Sequence, residues 1–184
     1  MQNEKRTAGS IEIVCGSMFS GKTEELIKRV NGVLATQQKI AVFKPTLDTR
    51  YATNQVVSHN KLAVDALPVN SANEILELAK DADIVAIDEV QFFDNDIISV
   101  CQQLAKDHKR VIIAGLNMDY KGNPFGPVPQ LLAIADHITK LHTICAECGN
   151  LANFTYRKGN ENTLVVLGEN DKYSALCRNC YNNK

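Results

Sequence analysis

Gly16-Ser17-Met18-Phe19-Ser20-Gly21-Lys22-Thr23 is a glycine, four intervening residues and then Gly-Lys-Thr, a spacing that commits its neighbourhood to strand, tight loop and helix. Ser10-Ile11-Glu12-Ile13-Val14-Cys15 before it is rich in β-branched residues and reads as a strand. After it, Leu26, Ile27 and Val30 recur at helical spacing among charged residues. In such a P-loop successive backbone N–H groups turn inward, and the helix N-terminus adds partial positive charge where phosphates would sit. Lys22 is expected to reach the β- and γ-phosphates of ATP, and the Thr23 hydroxyl to ligate Mg²⁺. A chance glycine turn would share the spacing but has no reason to carry both flanking elements.

Apolar strands and amphipathic helices alternate from about residue 9 to 136. Lys39-Ile40-Ala41-Val42-Phe43-Lys44 reads as a second strand, and 45–58, with Asp48 and Arg50, as one long polar loop. Ser71-Ala72-Asn73-Glu74 is a capping box that opens a helix. Ile84-Val85-Ala86-Ile87 is a continuous apolar run, as in a strand covered on both faces, and Arg110-Val111-Ile112-Ile113-Ala114 is another. Residues 97–106 suit a helix between them. The alternation implies an α/β fold, a P-loop NTPase-like parallel sheet flanked by helices, with ligands beyond the carboxyl ends of the strands. The P-loop, Asp88-Glu89 and 115–127 all follow strand ends and are expected to meet in one crevice.

Asp88 stands where a P-loop protein holds Mg²⁺, and Glu89 beside it is a candidate base; without the P-loop both would read as solvated carboxylates capping a strand end. Gln91-Phe92-Phe93 and Asn123-Pro124-Phe125-Gly126-Pro127 bring aromatic rings to the same crevice. There they either stack on a planar ligand or pack beneath their own loops.

Net charge is −1 with both signs interspersed, which gives no footprint for nucleic acid. No apolar run approaches the ~18 residues of a membrane span, and residues 1–9 lack the apolar core of a signal peptide, so a cytoplasmic protein is expected. In a reducing compartment clustered cysteines favour metal over disulfide. Of the six cysteines, Cys15 and Cys101 read as small core residues. Cys145, Cys148, Cys177 and Cys180 form two C-x-x-C pairs, the spacing of a closed, structural Zn²⁺ site. Redox thiols or unpaired core thiols are the alternatives. The metal would tie the neck of the excursion 149–176. We therefore expect a P-loop domain at 1–140 and a small zinc-binding domain at 141–184.

Together these residues resemble the small zinc-containing (type II) thymidine kinases over nearly the whole chain. The octet 16–23, Lys44-Pro45 with Asp48-Thr49-Arg50-Tyr51, the run Asp88-Glu89-Val90-Gln91-Phe92-Phe93 and Asp171-Lys172-Tyr173-Ser174-Ala175-Leu176-Cys177-Arg178-Asn179-Cys180-Tyr181 are similar to that family's segments. The resemblance implies transfer of the ATP γ-phosphate to the 5′-hydroxyl of thymidine, with deoxyuridine as a second substrate. It implies Glu89 as the catalytic carboxylate, with Lys22 and Arg50 supplying charge, and Met18 beside the thymine methyl. Phe92, Leu116, Tyr120 and Phe125 would line the base pocket, and Tyr173 would touch the nucleoside. The segment 149–176 would be a lasso loop whose main chain meets thymine at Val166 and Gly168. A homotetramer and feedback inhibition by dTTP are further implications. Asn117, Tyr120, Val90 and Cys180 stand where the family often has Asp, Phe, a smaller residue and sometimes His.

Three rivals keep the P-loop: a kinase of another nucleoside, a nucleic-acid-dependent ATPase with a zinc ribbon, and a non-catalytic nucleotide-binding module. Glu147, Glu161, Glu169 and Asp171 near the cysteines oppose the second, and intact Lys22, Thr23, Asp88 and Glu89 oppose the third.

Overall fold

The computed structural model describes residues 8–48, 54–58, 60–159 and 172–184. Strand β1 (Ser10–Gly16) runs into helix α1 (Lys22–Leu34), followed by β2 (Ile40–Pro45) and the short strands β3 (Gln55–Val57), β4 (Ala63–Asp65) and β5 (Leu67–Val69). Next come α2 (Ala72–Leu78), β6 (Ile84–Ile87), α3 (Asp96–Lys106), β7 (Arg110–Leu116), α4 (Val128–Ile134) and β8 (His137–Lys140). The chain closes with β9 (Thr143–Ile144), β10 (Leu151–Ala152), β11 (Phe154–Arg157), β12 (Tyr173–Leu176) and α5 (Arg178–Asn182). Among the described residues no helix is long and apolar enough to cross a membrane.

Six strands form one parallel sheet in the order β5-β2-β6-β7-β1-β8. This is the expected α/β fold, and its strand alternation explains the two cores. Ile11, Ile13, Val85, Ile87, Val111 and Ile113 face α2, α3 and α4, burying Ile75, Ile97, Val100, Leu104 and Leu131 against them. Val14, Val42, Ile84, Ala86, Ile112 and Ala114 face the other way, onto Leu26, Ile27, Val30 and Val33 of α1. Each layer needs every second residue of a strand, so strands buried on both faces read as unbroken apolar runs.

Two expectations are corrected. The span 45–58 is not a single loop: β3 lies within it and pairs antiparallel with β4, burying Val56 and Val64 on α1. Two buried valines within polar sequence are too few to show a period. The strand alternation also continues past 136, because β8 pairs with β1 as an edge strand. Its exposed His137, Ile138 and Lys140 hide it from pattern reading. The capping box holds, with the Ser71 N–H donating to Glu74 Oε1 at 3.1 Å.

A carboxylate fixes the strand and helix on either side of the P-loop. Glu12 of β1 accepts from Arg110 of β7 through Nε at 2.6 Å and Nη2 at 3.1 Å, and from Arg29 of α1 at 3.0 Å. Arg29 also reaches Thr139 of β8 at 2.9 Å and Glu25 at 2.9 Å. Burial raises the Glu12 carboxyl, but the Arg110 hydrogen bonds and the Arg110, Arg29 and His137 charges outweigh it and hold it below its ordinary value. A depressed folded-state value stabilises above the unfolded value of about 4.3 and is lost as pH falls through the folded one. Glu12→Gln should therefore lower urea stability at pH 7 by about 1–2 kcal/mol, and the gap from the parent protein should close toward pH 3.

Candidate active site

The carboxyl ends of β2, β6, β7 and β1 lie side by side, and the loops leaving β6, β7 and β1 form the site. Gly21 has φ 85°, a left-handed conformation that a side chain would strain, and its carbonyl accepts the first bond of α1, from Glu25 N–H at 2.9 Å. Phe19 holds φ 64° without being glycine. Lys22 is buried and donates through Nζ to Ser17 O at 2.9 Å, which curls it over its own loop. Ser20 donates to the same carbonyl at 2.8 Å. The result is a glycine-bounded loop at a helix N-terminus with an ammonium folded onto it, a setting that favours a polyphosphate.

Thr23, at the start of α1, donates its hydroxyl to Asp88 Oδ2 at 3.1 Å, and Asp88 Oδ1 accepts the Glu89 N–H at 2.9 Å. Asp88 follows β6, which is not next to β1; β7 lies between them, so the contact crosses a strand of the sheet. A buried carboxylate and a hydroxyl at this distance form an all-oxygen donor set of the kind Mg²⁺ prefers. Glu89 is itself buried and sits at φ 52°, a rare conformation for a non-glycine residue and one that recurs at functional sites.

The base-pocket candidates Phe92, Leu116, Tyr120 and Phe125 sit at or beyond the carboxyl ends of β6 and β7. Phe92 and Phe125 pack edge to face, with centroids 5.8 Å apart and planes at 89°. Leu116 ends β7, whereas Phe93 turns into the core. The Tyr120 ring is covered by the Arg157 guanidinium at 3.4 Å, and its carbonyl accepts from the Tyr181 hydroxyl at 2.7 Å. Tyr173, buried on β12, sits opposite Arg157 on β11. Arg50, Val166 and Gly168 lie outside the described residues.

The cysteine pairs meet. The sulfurs of Cys145, Cys148, Cys177 and Cys180 all lie within 4.8 Å of one another, and Cys148 and Cys177 are 3.5 Å apart. Four thiolates around a tetrahedral zinc with ~2.3 Å bonds would be about 3.8 Å apart, so these residues fit the ion. The knuckles also carry N–H groups aimed at sulfur, from Cys180 N to Cys177 Sγ and from Asn150 Nδ2 to Cys148 Sγ, each 3.4 Å. Burial raises the Cys145 thiol, yet hydrogen bonds from the Cys177, Cys148 and Glu147 backbone outweigh it and bring it down to about 6. Thiol contacts from Cys148 and Cys177 push Cys180 up.

Four contributions to the site were not legible in the sequence. Thr155 of β11 accepts the Met18 N–H at 3.0 Å, joining the P-loop to the cysteine-bearing unit. Phe19 packs on the cluster of Cys145, Ala152, Ala175, Leu176 and Cys177. Arg157 and Gln91 are the others, both buried, one at the end of β11 and one in the turn after Glu89. The alternation of Phe154 and Tyr156 with polar residues reads as short strands or an extended loop, and β11 is such a strand, but the pattern does not say what the Thr155 and Arg157 face meets.

A family profile described as thymidine kinase matches residues 9–181. The chain belongs to the thymidine kinase family. It is 52% identical over 178 residues to a protein named thymidine kinase from Bacteroides thetaiotaomicron, covering 97% of this chain and 89% of that one. A Rhodothermus relative of the same name is 53% identical over 175 residues, covering 95% and 82%. Among solved structures, the flagellar accessory protein FlaH from Methanocaldococcus jannaschii aligns with TM-score 0.53 at 15% identity, covering 80% of this chain and 76% of that one, which is a likeness of fold.

The contacts of Met18 and Phe19 carry a consequence for the metal. Cys177→Ser should lower bound zinc below one ion per chain by emission spectrometry. It should also speed hydrogen exchange at the Met18 amide by roughly tenfold or more; unchanged exchange with zinc lost would separate the cluster from the P-loop.

Proposed function

We propose that this crevice transfers the γ-phosphoryl group of ATP to the 5′-hydroxyl of thymidine, giving thymidine monophosphate for deoxynucleotide salvage, and accepts deoxyuridine as a second substrate. Family membership supports the activity. The observation that carries the site reading is the hydrogen-bonded run Thr23–Asp88–Glu89, which sets a metal-binding pair and a carboxylate beside the P-loop.

In this reading the backbone of Gly16, Ser17, Met18, Phe19, Ser20, Gly21, Lys22 and Thr23 holds the ATP phosphates. Thr23 and Asp88 hold Mg²⁺, which when bound neutralises phosphate charge. Lys22, together with Arg50, stabilises charge on the transferring group. Glu89 orients the 5′-hydroxyl and accepts its proton as the new O–P bond forms and the bond to the ADP oxygen breaks. Met18, Phe92, Leu116, Tyr120 and Phe125 line the base pocket, and Tyr173, Val166 and Gly168 close it from the lasso loop.

Thymine presents an N3–H donor between O2 and O4 acceptors, which main-chain groups can match. Cytosine reverses the pattern at N3 and position 4 and would leave buried groups unpaired. Loss of the 5-methyl group costs only about 0.8 kcal/mol, so deoxyuridine remains a substrate. Zinc at Cys145, Cys148, Cys177 and Cys180 ties the neck of the loop and lowers the cost of ordering it. The division into 1–140 and 141–184, a cytoplasmic location, a homotetramer, dTTP feedback and the absence of nucleic-acid or membrane partners complete the proposal.

Incubation with Mg-ATP and a panel of thymidine, deoxyuridine, deoxycytidine, deoxyadenosine and deoxyguanosine should yield thymidine monophosphate first. Deoxyuridine should follow within about tenfold, with little product from the rest. Preference for another nucleoside would move the reading to that rival kinase. Glu89→Gln should cut turnover by about 100-fold or more while leaving ATP affinity within a few fold.

A further inference from the structure

Gln91 is 3% exposed and has both ends of its amide engaged. Its Oε1 accepts the Leu116 N–H at 3.0 Å, and its Nε2 donates to Glu89 Oε2. The orientation of the amide is fixed by chemistry: a backbone N–H can only donate, so the amide oxygen must face Leu116 and the NH₂ must face the carboxylate. The surrounding backbone closes on this side chain. A Cβ on Gly115 would lie 2.8 Å from Gln91 Oε1 and 2.7 Å from Val90 Cγ1, and one on Gly126, at φ 50°, would lie 2.5 Å from the Gln91 carbonyl oxygen. Two glycines therefore let β7 and the loop bearing Phe125 approach Gln91 closely. The short turn Val90–Phe92 is anchored by Phe92 N–H donating to Glu89 O at 3.1 Å.

We propose that Gln91 is a positioning residue: it aims the Glu89 carboxylate by holding one of its oxygens, and takes its own place from the Leu116 backbone at the rim of the base pocket. This rests on Glu89 being the base. The loop that lines thymine then also sets the group that receives the 5′-hydroxyl proton, so pocket and base move as one unit. Glu89 needs such a tether because its backbone conformation leaves the side chain on a turn rather than on a strand. Small errors in aim matter, since a displacement of about 1 Å can cost on the order of 100-fold in rate.

The test is a double-mutant cycle with two replacements at Gln91. Gln91→Met keeps the length and removes both hydrogen bonds; Gln91→Glu keeps the shape and the acceptor for Leu116 but sets a carboxylate against Glu89. Each should lower kcat by roughly 10–100-fold, with KM for thymidine and ATP within about threefold. In a Glu89→Gln background Gln91→Met should cost less than about threefold, because its target is already gone. Equal losses in both backgrounds, or near-parental kcat in either single variant, would overturn the proposal. If Glu89→Gln alone keeps its turnover, the base assignment fails instead, and this proposal falls with it.

Discussion

The amide of Met18 donates to Thr155 at 3.0 Å, linking residues 137 positions apart. One residue later Phe19 packs on the buried cysteine cluster, and at the other end of the loop Thr23 bonds Asp88. The P-loop is thereby held from two directions, by the sheet through Asp88 and by the cysteine-bearing unit through Thr155 and Phe19. A glycine-rich loop with a left-handed Phe19 has little reason to keep its shape alone. Fixed in this way, it is placed to form the common wall of the proposed donor and acceptor sites.

The sheet supplies the rest of that wall. Because β7 separates β1 from β6, the strand ends leave a one-strand gap between the P-loop and the segment after β6, bridged by the Thr23–Asp88 hydrogen bond. That gap leaves room for the end of β7 and its loop to reach the crevice, with Leu116, Phe125 and Tyr120. The Glu12–Arg29–Arg110 cluster holds β1, α1 and β7 in register lower in the sheet. That cluster sits at the opposite end of the strands from the crevice.

The parts legible in the sequence were those whose cause is local. The P-loop spacing, the apolar runs Ile84–Ile87 and 110–114, the capping box at Ser71 and the two C-x-x-C knuckles are each decided within a few residues. Strand β8 was hidden because an edge strand needs no apolar alternation, and β3 because two buried valines make no period. Gln91, Thr155 and Arg157 were out of reach for a different reason. Each acquires its role by meeting a partner far along the chain, at Leu116, Met18 and Tyr120, and polar residues carry no periodic mark of such meetings.

A crystal structure with thymidine, Mg²⁺ and a non-hydrolysable ATP analogue addresses the central claim most directly, that one crevice presents donor and acceptor to each other with Glu89 between them. The thymidine 5′-oxygen should lie within about 3.2 Å of a Glu89 carboxylate oxygen, in line with the γ-phosphate and with the base beneath the 149–176 loop. A nucleoside bound with its 5′-oxygen facing away from Glu89, or with its base outside that loop, would contradict it.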